Sequence, residues 1–235
     1  MQRVMLKLSG EALGDSGLLF DFNKIDAVAK VLAEAQKKGF EVAVVIGGGN
    51  IWRGRKGASK NMDPITADHM GMLSTVLNCL CVKDAIIRAG GKAKVFSAID
   101  MPSVCDGFRA DKADEALKDG FITFFAGGLG SPFFTTDTAV VLRCLEIKAD
   151  MLLLAKNVDG VYTADPNTDK SAKLIKKLSY KEALEKDLRV MDASAFQMLL
   201  DKQFPMVRVF SLEKAENILK VLGGDNMGTV LFPKP

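Results

Sequence analysis

Histidine is almost missing from this chain, with His69 the only one in 235 residues. That scarcity excludes a His-based metal cluster, and without a G-x-S-x-G elbow a Ser-His-Asp hydrolase has no support either. Cysteine is also scarce. Cys79, Cys81, Cys105 and Cys144 show neither a C-x-x-C pair nor framework spacing, so they read as small core hydrophobes in a reducing compartment. Charge of one sign is lacking too: 32 Lys and Arg face 29 Asp and Glu, mixed without blocks, for a net charge of +3. No nucleic-acid or membrane surface is expected, although small anions remain candidate ligands. The longest apolar runs, such as Val42 to Ile46 and Met151 to Ala155, are too short to span a bilayer, and Met1-Gln2-Arg3-Val4-Met5-Leu6-Lys7 has no signal-type apolar region. A cytoplasmic protein is the expectation.

What is present is ordinary globular composition, 48% apolar and 26% charged. One core can serve a chain of this length, so a single domain over residues 1–235 is expected, with two lobes at most. Val-, Ile-, Leu- and Phe-rich runs alternate with segments of helical period, the pattern of βα units around a parallel sheet. Val4 to Leu8, Glu41 to Ile46, Lys94 to Ser97, Phe121 to Ala126, Met151 to Leu154, Met206 to Phe210 and Thr229 to Phe232 read as strands. Asp21 or Asn23 can cap a helix that Gly39 stops. A long helix is expected near residues 69–89 with Met70, Leu73, Leu77, Leu80 and Ile87 inward, then helices over Thr136 to Ile147 and near 213–222. Ser179 to Glu182 spells a capping box, and the turn chemistry from Val158 to Pro166 predicts a hairpin-like excursion.

In an open parallel sheet, ligands bind beyond the carboxyl ends of the strands. Three glycine clusters fall at such ends: Ser9-Gly10, Gly47-Gly48-Gly49-Asn50 and Gly127-Gly128-Leu129-Gly130. Any one alone reads better as a tight turn needing positive φ, whereas three on one edge favour phosphate binding. Neither standard nucleotide signature fits, since Gly91-Lys92 is followed by Ala93 and Trp52 stands where the last glycine of G-x-G-x-x-G belongs. Lys7, at the end of a buried strand, could neutralise charge on a transferring phosphoryl group, or be a surface lysine. Arg53 could fork onto phosphate oxygens or be a solvated charge. Asp68 could contact ligand or cap the long helix.

Taken in order, Lys7 to Leu13, Gly47 to Gly54, Asp68 to Met72, Ser131 to Asp137, Val158 to Pro166, Val190-Met191-Asp192, Arg208-Val209-Phe210 and Gly228-Thr229 resemble the bacterial uridylate kinases of the amino acid kinase superfamily. The resemblance covers essentially the whole chain. It implies an α/β fold, a three-layer αβα sandwich on a mainly parallel sheet, with an N-terminal acceptor half and a C-terminal ATP half. It also implies transfer of the γ-phosphoryl of ATP to UMP with Mg²⁺, in pyrimidine nucleotide synthesis, by a homohexamer. By resemblance, Lys7, Leu8, Ser9, Gly10, Gly49 and Arg53 would hold ATP phosphates, and Lys156, Asn157, Tyr162 and Asp165 the adenosine. Gly48, Asp68 and the loop Leu129, Gly130, Ser131, Pro132, Phe133, Phe134, Thr135 and Thr136 would hold UMP. Lys7, Arg53, Asp137 and Asp192 would be catalytic, with the two aspartates orienting Lys7 or serving the magnesium sphere, and no protein-held metal centre.

Two departures stand out. Gly128-Leu129-Gly130-Ser131-Pro132 replaces the usual Gly-Thr-Gly-Asn-Pro, exchanging a hydroxyl for an isobutyl group. Phe20-Asp21 lacks the glycine of the Gly-Phe-Gly pattern that accompanies GTP activation, so only a weak GTP response is expected. The rival readings are an oxyanion store for molybdate or tungstate and a kinase of another small acid such as carbamate.

Overall fold

Strands β1 (Arg3–Leu8) and β2 (Glu41–Ile46) are the two six-residue apolar runs nearest the N-terminus, and they pair in parallel from Arg3↔Glu41 to Leu8↔Ile46. Successive side chains of a strand face opposite ways. Val4, Leu6 and Leu8 therefore join Val42, Val44 and Ile46 in one core, while Met5 joins Ala43 and Val45 in another. Both faces need covering, and the structure, a computed structural model, covers each with helices. It describes residues 1–15, 17–52, 61–166, 168–186, 188 and 190–233.

The first core is closed by α1 (Phe22–Lys37), α2 (Pro64–Arg88) and α7 (Asn217–Leu222). The second is closed by α3 (Ala110–Lys118), α4 (Thr136–Glu146), α5 (Tyr180–Glu185) and α6 (Ala193–Asp201). Between them lie β1, β2, β3 (Ala93–Ser97), β4 (Asp106–Gly107), β5 (Ile122–Ala126), β6 (Met151–Lys156), β9 (Lys177–Ser179), β10 (Val207–Ser211) and β11 (Thr229–Phe232), in the order β4-β3-β5-β2-β1-β6-β10-β11-β9. Every pairing in this sheet is parallel except β10 with β11. The mainly parallel three-layer αβα sandwich is the expected one.

Local chemistry sets the element ends. Asp21 caps α1 by accepting from the N–H groups of Asn23 and Lys24, and Gly39 at φ 88 follows its last turn. Ser179 and Glu182 form the reciprocal capping box of α5. The excursion after β6 is an antiparallel ribbon of β7 (Val161–Tyr162) with β8 (Leu174–Ile175). Helix α7 begins at Asn217 and is shorter than the span near 213–222.

Helix α2 departs most from expectation. Asp63, followed by Pro64 at the first turn, is its cap, so Asp68 lies a full turn inside the helix and does not cap it. Most of the stripe expected to point inward points outward: Leu73, Leu77 and Ile87 are 47%, 51% and 52% exposed and Met70 is exposed as well, while Leu80 is partly buried against the first core. The buried face is Ala67, Met72, Ser74, Thr75, Val76, Asn78, Cys79, Val82, Ala85 and Ile86. Gly71 and Ser74 are small where the loop after β2 presses against the helix, while Val76, Cys79, Val82, Ala85 and Ile86 fill the first core. A Cβ on Gly48 would stand 2.8 Å from Ser74 Cβ and 2.9 Å from the Gly71 carbonyl. By length and mean hydropathy, 1.5, α2 passes the test for a membrane span, yet half of that window is buried inside the domain.

Candidate active site

Parallel pairing brings the carboxyl ends of β5, β2, β1, β6 and β10 to one edge. All three glycine clusters stand there, but for different reasons. Gly127, Gly128 and Gly130 adopt φ of 74°, 58° and 76°, the left-handed region that favours glycine. Gly10 and the loop after β2 instead need room. A Cβ on Gly10 would fall 2.3 Å from the Gly47 carbonyl oxygen and 2.8 Å from the Gly49 nitrogen. The loops after β1 and β2 therefore lie backbone against backbone, with the Gly47 N–H donating to the Leu8 carbonyl at 3.0 Å.

A buried amide pair fixes this arrangement. Asn78, fully buried on α2, donates through Nδ2 to the Gly47 carbonyl at 2.7 Å and to Asn50 Oδ1 at 2.8 Å. Asn50 Nδ2 answers to Asn78 Oδ1 at 3.0 Å and to the Leu19 carbonyl at 2.8 Å. A buried amide is costly unless satisfied, and here it is satisfied only by the glycine loop and its neighbours, so it specifies their placement. Thr75 does the same for the next loop, accepting from the Gly127 N–H at 2.8 Å and donating to the Met72 carbonyl at 2.6 Å.

Lys7 Nζ meets Asp137 Oδ1 at 2.5 Å, with only 15% and 20% of the two side chains exposed. Lys7 is not a surface lysine. It stands on the central strand, paired with Val45 of β2 and Leu154 of β6. Lys156 closes β6 and donates to the Val190 carbonyl. Burial pulls the Lys156 ammonium below the usual lysine range, Asp137 opposes that, and Lys7 adds to it. Two lysines thus share the field of one carboxylate.

Asp192 has a different setting. Its Oδ1 accepts from the Ala195 N–H at 2.8 Å as the cap of α6, and its Oδ2 accepts from Thr138 Oγ1 at 2.9 Å and from the Thr135 hydroxyl. Thr135 in turn caps α4, accepting from the Asp137 and Thr138 N–H groups. Asp192 thereby ties the start of α6 to the start of α4, the turn that carries Asp137.

A cavity of about 420 Å³ reaches Thr136, the chain neighbour of Asp137. It is lined by Gly48, Asp68, Leu129, Phe134, Thr135 and Thr136 of the expected acceptor set and by Gly49, expected on the ATP phosphates, with Glu11, Trp52, Ala67, Gly71, Met72, Thr75 and Gly128. Asp68 accepts from the Phe133 N–H at 2.7 Å and so ties the loop after β5 to α2, with Phe133 itself at φ 72. Gly130, Ser131, Pro132 and Phe133 shape that loop without lining the pocket. On the other side lie two further cavities. One of about 510 Å³ is lined by Lys156, Tyr162 and Asp165 together with Val190 and Val209. The other, about 690 Å³, takes in Asn157, Gly49, Asn50 and Glu11. Lys156 and Asn157 thus face different cavities, while Gly49 and Glu11 border both the acceptor cavity and the larger donor-side one.

The β7–β8 ribbon is anchored to the sheet by Thr229, whose hydroxyl accepts from the Val161 N–H at 2.8 Å and donates to the Ile175 carbonyl at 2.5 Å. Tyr162 donates to Asp159 at 2.6 Å, which raises its phenol pKa. Arg53 lies outside the described residues.

Residues 2–210 match the sequence model of the amino acid kinase family. A uridylate kinase of Photorhabdus laumondii is 46% identical over 232 residues, covering 98% of this chain and 96% of that protein. One from Vibrio vulnificus is 46% identical over 231 residues, covering 98% and 95%. Among solved structures, a UMP kinase of Bacillus anthracis superposes with a TM-score of 0.94 at 34% identity, over 100% of this chain and 97% of that one. A UMP kinase of Ureaplasma parvum gives 0.92 at 32%, over 98% of each.

Proposed function

The chain belongs to the amino acid kinase family, among its uridylate kinases, and from that membership we propose that it transfers the γ-phosphoryl group of ATP to UMP, giving UDP and ADP. The observation that carries the reading is the Lys7–Asp137 pair with one neighbour in each cavity: Thr136, next to Asp137 in the chain, lines the acceptor cavity, and Lys156, in the field of Asp137 and Lys7, lines a donor-side one. An oxygen of the UMP phosphate forms the new bond to the γ-phosphorus as the bond to the β–γ bridging oxygen breaks. The attacking phosphate is already anionic, so no general base is needed and the problem is to hold two polyanions in line. Lys7 supplies fixed positive charge for the transferring group, the Ser9-Gly10 and Gly48-Gly49 backbones supply N–H donors, and Asp137 keeps the ammonium aimed. Arg53 is proposed as a further phosphate contact. Lys156, Asn157, Tyr162 and Asp165 are proposed for the donor nucleotide.

Magnesium would partly neutralise the donor phosphates. Among the described residues no group of three or more His, Cys, Asp or Glu could hold a metal. Such an ion would be held mainly by phosphate oxygens and water, the usual habit of this cation, with Asp137 the carboxylate at hand. The acceptor cavity, about 420 Å³, suits a nucleotide better than carbamate or an oxyanion. A coupled assay with ATP across UMP, CMP, carbamate and glutamate tests the reading: UMP should be turned over and the two small acids ignored.

Asp68 is proposed to accept from the ribose hydroxyls. A hydrogen bond to a charged group contributes about 1.5–3 kcal/mol, so kcat/KM for dUMP should fall roughly 10- to 150-fold below that for UMP. Equal values would remove the ribose role.

The exposed stripe of α2 bears on assembly. Leu73, Leu77 and Ile87 with Met70 and Ile65 make an apolar face along one helix, of the kind that another surface covers. We assign it to self-association within a hexamer of a cytoplasmic enzyme of pyrimidine nucleotide synthesis. Leu73→Glu with Leu77→Glu should shift the mass in solution to a smaller species by light scattering, and an unchanged mass would put the contact elsewhere.

A further inference from the structure

Two cavities meet at one side chain. The acceptor cavity reaches Met72 and Leu129, and beyond it lies a second cavity of about 410 Å³ lined by Ser97, Ala98, Asp100, Arg109 and Arg143, among others, together with Leu129. Leu129 is the one residue common to both linings among the described residues. The sheet order β3-β5-β2-β1 places the loop after β5 two strands from Lys7. At about 4.8 Å per strand that is about 10 Å, which is the reach from the phosphate of a nucleotide to its base. The base end of the acceptor pocket therefore falls against Leu129.

We propose that Leu129 is the partition that limits the acceptor base to a single pyrimidine ring and shuts out the two-ring purine, a proposal that rests on the uridylate kinase reading of the same site. An isobutyl group neither donates nor accepts a hydrogen bond, so what it brings to this wall is volume. Its position is firm. The Gly130 N–H donates to the Gly127 carbonyl at 2.9 Å, closing the turn that carries Leu129. The turn rests on the end of β3, since a Cβ on Gly130 would lie 2.7 Å from the Ala98 carbonyl oxygen and one on Gly127 3.0 Å from Ser97 Oγ. The loop cannot retreat from the pocket without pushing through that strand.

Both arginines behind the partition are already paired. Arg143 pairs with Glu146 at 2.6 Å and stacks 3.7 Å over the Phe108 ring, and Arg109 pairs with Asp111 at 2.7 Å. Opening the wall would thus add room without unpairing either arginine, and the Asp100 carboxylate there is already exposed to water. Cutting Leu129 back to its Cβ joins the two cavities.

The test compares GMP with UMP as acceptor, with ATP as donor, for the intact protein, Leu129→Ala and Leu129→Phe. Even one methylene in an apolar pocket is worth roughly tenfold in discrimination, so Leu129→Ala should raise the ratio of kcat/KM for GMP over UMP by roughly tenfold or more. Leu129→Phe should raise KM for UMP with kcat nearly kept, because the added ring intrudes on the base and not on the transferring group. A ratio unchanged within about twofold in a Leu129→Ala protein that still phosphorylates UMP overturns the partition alone. Should Leu129→Ala fail to fold, the phenylalanine variant decides, and an unaltered KM overturns the proposal. Failure of the intact protein to phosphorylate UMP removes the kinase reading itself, and the partition with it.

Discussion

Lys7→Ala is expected to lower kcat by roughly a hundredfold or more while the protein stays folded, the scale of losing one preorganised charge partner. The side chain is almost covered and held against Asp137, the residue after Thr136 of the acceptor cavity, and its strand is braced on both sides by β2 and β6. A charge held this way needs no reorganisation when the phosphoryl group passes, which is where its catalytic value lies. Removing it leaves the Asp137 carboxylate at 20% exposure without its partner, though still in the field of Lys156, so some loss of stability short of unfolding accompanies the loss of rate. Initial rates at saturating ATP and UMP, with a melting curve beside them, provide the measurement. A kcat within a few-fold of the parent in a folded protein would mean that another group carries the charge.

Gly10→Ala should be nearly as damaging, for a steric reason. The new methyl would sit 2.3 Å from a backbone oxygen of the neighbouring loop, and neither partner is a flexible side-chain end. Relief requires the loops after β1 and β2 to part, which strains the buried Asn50–Asn78 pair as well. Overpacking of this kind costs about 1–3 kcal/mol. A shift of about 1 Å in the phosphate-holding backbone can cost roughly a hundredfold in rate. Gly49→Ala is the contrast, since a Cβ there meets only Glu11 side-chain atoms, at 3.5 Å and beyond. The Gly10 variant should therefore lose far more activity than the Gly49 variant, and equal losses would deny that loop-to-loop contact sets the geometry.

Seven of the nine sheet strands and the position of the glycine-lined edge were legible in the sequence because each rests on a local signal. A six-residue apolar run with glycine at its end announces both a buried strand and the turn that follows. The face of α2 was not legible. Leu73, Leu77 and Ile87 form the more apolar stripe, and periodicity alone assigns that stripe to the core. The fold turns it outward because Gly48 needs the small residues of the opposite face. Asn78 was missed for a related reason, although a single amide inside the run Val76-Leu77-Asn78-Cys79-Leu80 was the available signal. Its meaning depends on the Gly47 carbonyl, which is 31 residues away in sequence. Asp68 was read as a rival cap because the true cap, Asp63, lies five residues earlier, after a stretch without helical pattern. Trp52 served only to exclude a dinucleotide motif, yet it lines the acceptor pocket and donates to the Ala67 carbonyl at 2.8 Å.

The strand order also bears on how the protein behaves when crowded. The two outermost strands, β4 and β9, are two and three residues long, and Asp106 and Lys177 place a charge in each. Long bare strand edges are templates for uncontrolled fibre-like growth, and stubby charged ones are poor templates. A long core of buried strands is thus finished at both rims by segments too short to recruit a neighbour through the backbone. Copies of this chain are left to meet through side chains, where a defined number of contacts can close on itself and growth can stop.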